Sequence, residues 1–411
     1  MSAPPPLSAP KSKKRPPPKL PPSAFALPTL PPKRLHPHSI IDTHIHLWTN
    51  DQLESGNVAW PTKSQFQQLR DEHTLQQYQQ VVQGGVERVG PNLAFEGAVF
   101  VQAEAKHDDE DLDGSKGGWD AAIDEIDNVC KAALASSTKI LALVPWAPVH
   151  LGPTALSSYF TRLTSLPSLA AFTSRSSTPN LSPIRSCRYL LQDSPKGFFL
   201  TDNFIAGLKW LGEEGIAFDM TLDVTQVEGV LDDAVECVQR VREGQTTSPN
   251  PPNPLPFLPP LPLQTSYISS LFSLSLLSNV TLKLSGLLDS ADPELVKRAF
   301  QEFREGKMGR ECETLRGRVL TFLEPAVEAF GEERIIVGSD WPMFRAKTIS
   351  LPSPSSTSTS SPVARNAQEE SQAWAFEMEL YRTALLELGL EGESLDRVFS
   401  GNAKGFYGIG I

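Results

Sequence analysis

The sequence predicts an α/β protein, a parallel (β/α)8 TIM-like barrel that is distorted or incomplete at its sixth strand and preceded by a disordered proline-rich tail. Three observations lead there. Short apolar runs recur with helical segments between them, the pattern of repeated βα units around a parallel sheet. The first run, Ile40-Ile41-Asp42-Thr43-His44-Ile45-His46, ends in polar residues, as strands of such barrels do where they present side chains to a pocket. The length of 411 residues, 40% hydrophobic and 21% charged, suits one large barrel with insertions.

Seven strands are legible in order. Ile40 to His46 is the first, and Gly97 to Ala103 the second, leading into Glu104. Ile140 to Pro145 is the third, and Ile184 to Leu190 a weaker fourth. Ile216 to Leu222 is the fifth, with Asp219 inside it; Val280 to Ser285 and Arg334 to Ser339 complete the set. Helical spacing of apolar residues marks Ala121 to Leu134, Asp202 to Glu213, Val227 to Arg242, Pro293 to Arg304, Phe322 to Phe330 and Trp374 to Leu388. An eighth strand is needed between Arg242 and Val280, but residues 248–262 are rich in proline. Proline donates no ladder hydrogen bond, so no ordinary central strand is expected there; the barrel is open or distorted, or a loop plugs the gap.

Residues 1–38 form a basic tail, with 13 of the 36 prolines, seven Lys or Arg and no acid. Residues 39–411 form the barrel, with a proline-rich insertion near 246–265 and a Ser/Thr-rich loop at 350–362. The barrel carries 30 basic against 48 acidic residues, about −18 in formal charge, which argues against nucleic acid as a partner. No apolar run spans a bilayer, so no membrane partner is expected. The tail lacks the apolar core of a secretory signal, and Cys130, Cys187, Cys237 and Cys312 are scattered without metal or disulfide spacing; both point to a cytoplasmic protein with free thiols.

The chemistry concentrates at two distant segments. On a strand, residues two apart share a face, so His44 and His46 offer two imidazoles to one metal ion. The last strand runs into Ser339-Asp340-Trp341-Pro342 and so ends in a carboxylate. Asp340 alone could be a helix cap; together with the two histidines a catalytic role is favoured. Lys283 alternates with Thr281 and Ser285, facing either the barrel interior or a helix.

Asp42-x-His44-x-His46 with Ser339-Asp340-Trp341-Pro342 resembles the amidohydrolase superfamily, and within it the amidohydrolase-related (type 2) group that includes sugar-acid lactonases of the fuconolactonase kind and related decarboxylases. Further segments, in order, are similar to the lactonase branch: Val101-Gln102-Ala103, Arg188 to Pro195, Gly207 to Leu211, Phe218-Asp219-Met220, Lys283 to Leu287 and Gly401-Asn402-Ala403. The resemblance implies that His44, His46 and Asp340 hold a divalent metal, zinc first, and that Asp340 is also the catalytic base. It implies substrate contacts from Arg188, Gln102, Trp48, Lys283 and Ser285, and a small-molecule substrate, a lactone opened by activated water. The middle-strand histidine common in the superfamily is missing: Arg188 is followed by Tyr189, and all seven histidines lie before residue 151. Some lactonases of this kind are thought to work without metal. Two other functions therefore stand beside the lactonase: a non-oxidative decarboxylase on the same scaffold, and a barrel that has lost catalysis and binds partners.

Overall fold

The computed structural model describes residues 34–175, 182–192, 194–222, 229–243, 253–257, 265–345 and 367–410. Residues 1–33, most of the proline-rich insertion and the Ser/Thr-rich loop lie outside these.

Eight parallel strands follow one another in chain order: β1 (Ser39–Ile45), β2 (Ala94–Val101), β3 (Ile140–Val144), β4 (Ser186–Leu190), β5 (Ala217–Thr221), β6 (Asn253–Phe257), β7 (Val280–Leu284) and β8 (Ile335–Val337). They form three hydrogen-bonded groups, β1-β2-β3, β4-β5 and β6-β7-β8. Parallel bridges join β3 to β4, at Leu143 with Ile184 and Trp146 with Arg188, and bring the end of β8 to β1, at Ile45 with Trp341. All seven expected strands are present, and each of the six expected helical segments overlaps an observed helix.

The remaining strand falls within the proline-rich stretch: Asn253–Phe257 pairs with β7 in parallel, Asn253 opposite Val280 and Phe257 opposite Leu284. Adjacent residues of a strand direct their N–H groups to opposite sides. Pro254 and Pro256, two apart, therefore remove donors from one edge only and leave the other able to pair. Among the described residues β5 and β6 share no ladder. The distortion at the sixth strand is thus a one-sided loss of pairing rather than a missing strand.

The core of β1, β2, β3 and β8 is closed by apolar residues such as Ile41, Val99, Val101, Val144 and Ile336. Outside it, helix Ala367–Glu387 lies against helix Leu75–Val89, so close that a Cβ on Gly85 would come within 2.7 Å of the Trp374 ring. That close approach lets Trp374 reach Asp42 inside the strands, as shown below. The four cysteines are buried free thiols. Among the described residues no helix is long and apolar enough to cross a membrane.

Candidate active site

β1 and the segment after β8 meet as the motifs require. The Nε2 atoms of His46 and His44 lie 3.1 Å and 3.4 Å from Asp340 Oδ1, with the two imidazole centroids 4.8 Å apart. Gly338 permits this: a Cβ there would sit 2.6 Å from the Cβ of His44. One residue on, Asp340 takes a left-handed backbone (φ 55°), which turns its carboxylate to the imidazoles. A non-glycine residue held in this region is a common mark of a functional turn.

Hydrogen bonding orients both rings. Nδ1 of His46 lies 2.9 Å from the Val101 carbonyl and Nε2 of the same ring 3.1 Å from the Asp340 carboxylate, two partners that can only accept. Arg188 Nη1, which can only donate, lies 3.3 Å from His44 Nε2, so His44 accepts there and donates from Nδ1 to Ser285 Oγ at 2.6 Å. Burial, followed by the positive charges of Lys283 and Arg188, pushes His44 well below the ordinary imidazole range and disfavours its charged form. Two imidazole nitrogens and a carboxylate oxygen thus converge, each an atom that can ligate a metal ion once it carries no proton. The two nitrogen–oxygen distances match the separation of about 3.3 Å between neighbouring ligands of a tetrahedral zinc with bonds of roughly 2.0–2.1 Å, and all three atoms lie within 4.8 Å of one another. His44, His46 and Asp340 fit a divalent metal ion.

Beneath this centre Asp42 is fully buried and accepts from Ser339 N (2.7 Å), Ser339 Oγ (2.6 Å), Tyr78 Oη (2.7 Å) and Trp374 Nε1 (3.0 Å). Burial pushes its carboxyl up, and these bonds oppose that shift. Asp42 thereby ties β1 to the residue before Asp340. Its place in the motif was visible; its role as an anchor was not, because its donors lie 36 to 332 residues away in the chain.

The structure places the expected substrate contacts unequally. Arg188 is in the pocket, with Nη2 donating to the Gln102 carbonyl at 2.9 Å and Nε buried without a hydrogen-bond partner. The Gln102 side chain is folded onto Glu104, to whose carboxylate it donates at 2.8 Å. Lys283 faces inward and forms a fully buried ion pair with Asp219 on β5; burial pushes its ammonium below its ordinary range against the pull of that partner. Ser285 is spent on His44. Trp48 is buried, donates to the Asp71 carbonyl at 2.9 Å and packs against the rings of Trp60 and His73.

Glu125, a buried helix residue, accepts from the Ala103 amide at 2.8 Å and so fixes the turn between Gln102 and Glu104. Burial pushes its carboxyl up to about 8, from 4.5 when free. Its folded form therefore binds a proton that the unfolded chain releases between those values, and stability falls with rising pH across that window. Glu125→Gln is expected to abolish this contribution, on the order of 1 kcal/mol per pH unit between pH 5 and 8. Urea titrations at both pH values test it; an unchanged difference between pH 5 and pH 8 in the variant would refute it.

In its motifs and its fold the chain is similar to the amidohydrolase-related group of metal-dependent hydrolases, the class that a parallel α/β scaffold with a His-x-His and late Asp centre suggests. No protein-family model matches the chain. In sequence it is 24% identical over 199 residues, 46% of its own length, to the L-rhamnono-gamma-lactonase of Scheffersomyces stipitis. The match covers 52% of that lactonase, so the chain spans about half the length of the curated relative. A zinc-bound amidohydrolase from Burkholderia multivorans superposes with a TM-score of 0.55 at 18% identity, over 90% of this chain and 99% of that one. A probable 2-pyrone-4,6-dicarboxylic acid hydrolase from Acinetobacter baumannii, with citric acid bound, gives 0.53 at 12% identity over the same shares. At these identities the structural likeness concerns the fold.

Proposed function

We propose that the protein hydrolyses a small cyclic ester, a sugar-acid or related lactone, within a (β/α)8 barrel whose ladder is interrupted between β5 and β6. The observation that carries this reading is the convergence of the His44 and His46 Nε2 atoms on Asp340 Oδ1. The sequence relation to a lactonase supports the choice of ester. His44, His46 and Asp340 would hold a divalent ion, zinc by its donor set. When bound, that ion polarises the ester carbonyl and raises the acidity of water at the site.

The chain's own residues then have defined tasks. Asp340 takes a proton from the attacking water, whose oxygen bonds to the ester carbon. As the ring C–O bond breaks, the same proton passes to the leaving alkoxide, and a hydroxy acid is released. Ser285 and the Val101 carbonyl orient the imidazoles toward Asp340. Arg188 is suited to contact the substrate because its Nε lies buried without a partner. Lys283 and Gln102 contribute indirectly, through the buried charge beside the site and the carbonyl that orients Arg188. Trp48, packed on Trp60 and His73, is given no substrate contact.

Purified protein is expected to contain about one equivalent of zinc or manganese by elemental analysis and to open aldonolactones, followed by proton release. Chelation should remove both the metal and the activity, and added metal restore both. Protein that binds no metal and leaves a panel of lactones intact, or that releases carbon dioxide from aromatic acids instead, would overturn the proposal.

A further inference from the structure

A second polar cluster lies beside the proposed centre, at the same carboxyl ends of the strands. After β2 come Glu104, His107 and Asp109; the turn after β3 carries His150; Tyr189 lies near the end of β4. Tyr189 Oη donates to Asp109 Oδ2 at 2.9 Å. The other oxygen of Asp109 is 3.6 Å from Nε2 of both His107 and His150, beyond hydrogen-bonding distance. His107 donates from Nδ1 to the Ala105 carbonyl at 3.0 Å, so its Nε2 lone pair faces Asp109 and, at 4.0 Å, Glu104 Oε1. The His107 lone pair therefore faces carboxylate oxygens across a gap open to solvent, the Asp109 side chain being 46% exposed and that of Glu104 30%.

The rings are held rigidly: His107 stacks on Trp146 at 4.5 Å, and His150 lies 4.7 Å from the Tyr189 ring. A continuous polar path joins this cluster to the metal ligands. His44 meets Arg188, Arg188 bonds to Gln102, Gln102 to Glu104, and Glu104 faces His107. Glu104 has the left-handed φ of 57°, and its amide bonds back to Gln102 Oε1 at 2.5 Å, so the residue is fixed between the two groups.

We propose that Glu104, His107, Asp109, His150 and Tyr189 form a subsite for vicinal hydroxyl groups, so that the substrate is an uncharged, polyhydroxylated lactone whose hydroxyl-bearing tail lies over β2 to β4. This rests on the lactone reading above and narrows it. Hydroxyls supply the donors that the facing acceptors lack, and flat ring faces suit the C–H surface of a sugar chain. Two carboxylates at the rim repel a dianionic substrate.

The test compares a six-carbon aldono-γ-lactone with γ-butyrolactone, which has the ester but no hydroxyls. In Asp109→Ala the ratio of kcat/KM between them should fall about tenfold, the loss of a hydrogen bond to a charged group, mostly through KM. Tyr189→Phe, which keeps the ring, should shift the ratio in the same direction by less. A ratio changed less than twofold in Asp109→Ala, or an equal loss on both lactones, would overturn the subsite. Should the wild type open no lactone, the hydrolase reading fails alone, and calorimetry with a six-carbon alditol decides the subsite. Binding weakened fivefold or more by Asp109→Ala sustains it; no binding, or unchanged binding, removes it.

Discussion

Asp340→Asn is expected to lower kcat for lactone opening by about a thousandfold, within the range that a general base contributes. The substitution is nearly isosteric, and the side chain sits at the surface of the pocket, its carboxylate 14% exposed, so the fold should persist. The loss has two sources. The amide cannot take the proton from water, and as a neutral ligand it weakens the hold of the His44 and His46 pair on a divalent ion. Measuring metal content beside kcat at saturating metal separates them: the base role predicts that activity stays low after the site is filled. A variant that folds, as seen by circular dichroism, and keeps more than a tenth of wild-type kcat would refute the role of Asp340.

Asp42→Ala is expected to cost about 3–5 kcal/mol of stability, a large part of the roughly 5–15 kcal/mol that holds a protein folded. The substitution strands the Ser339 amide and hydroxyl, the Tyr78 hydroxyl and the Trp374 indole N–H inside the protein, and each unsatisfied group carries a desolvation cost of about 1–3 kcal/mol. Because these donors come from β1's neighbours at both ends of the chain, the damage should reach the site: Ser339 is released, and Asp340 with it. Urea denaturation gives the magnitude, and Asp42→Asn, which keeps the volume and one acceptor, provides a milder second point should the alanine variant not fold. A loss below 1 kcal/mol in both would show that Asp42 is not the anchor described here.

Much of the architecture could be read from local pattern. An apolar run bounded by turn residues has few ways to be buried other than as a strand, and this is why Ile140 to Pro145 and Ile216 to Leu222 were legible to within a residue or two. Helix Leu75–Val89 was not, because its polar stretch Gln76-Gln77 and its pair Gly84-Gly85 obscure the periodicity. Those glycines make sense only opposite Ser371 and Trp374, nearly 300 residues later. In the proline-rich stretch the sequence argues only against a strand paired on both sides, and cannot tell which side keeps its ladder. A strand has two edges, and prolines at alternate positions disable one.

The metal-ligating candidates were legible for a related reason. Two histidines two residues apart share a face by backbone geometry alone, and an aspartate directly after a strand stands at the pocket end. The second cluster gave no such signal. His107, Asp109, His150 and Tyr189 come from three separate strand ends, and their proximity depends on the order of strands around the sheet.

By itself, then, the chain's order of residues determined the parallel α/β class, most of its strands and the shared face of two imidazoles, which follow from short-range periodicity and the direction of side chains on a strand; the late carboxylate was joined to them by the resemblance of the two motifs to a known superfamily. Only the tertiary structure decided which nitrogen of each histidine faces Asp340, that Ser285 and Val101 orient those rings, that Lys283 is committed to Asp219, and that Asp42 anchors both ends of the site. The physical reason is that a hydrogen bond acts over about 3 Å of space irrespective of separation along the chain, so partners hundreds of residues apart leave no trace in local sequence.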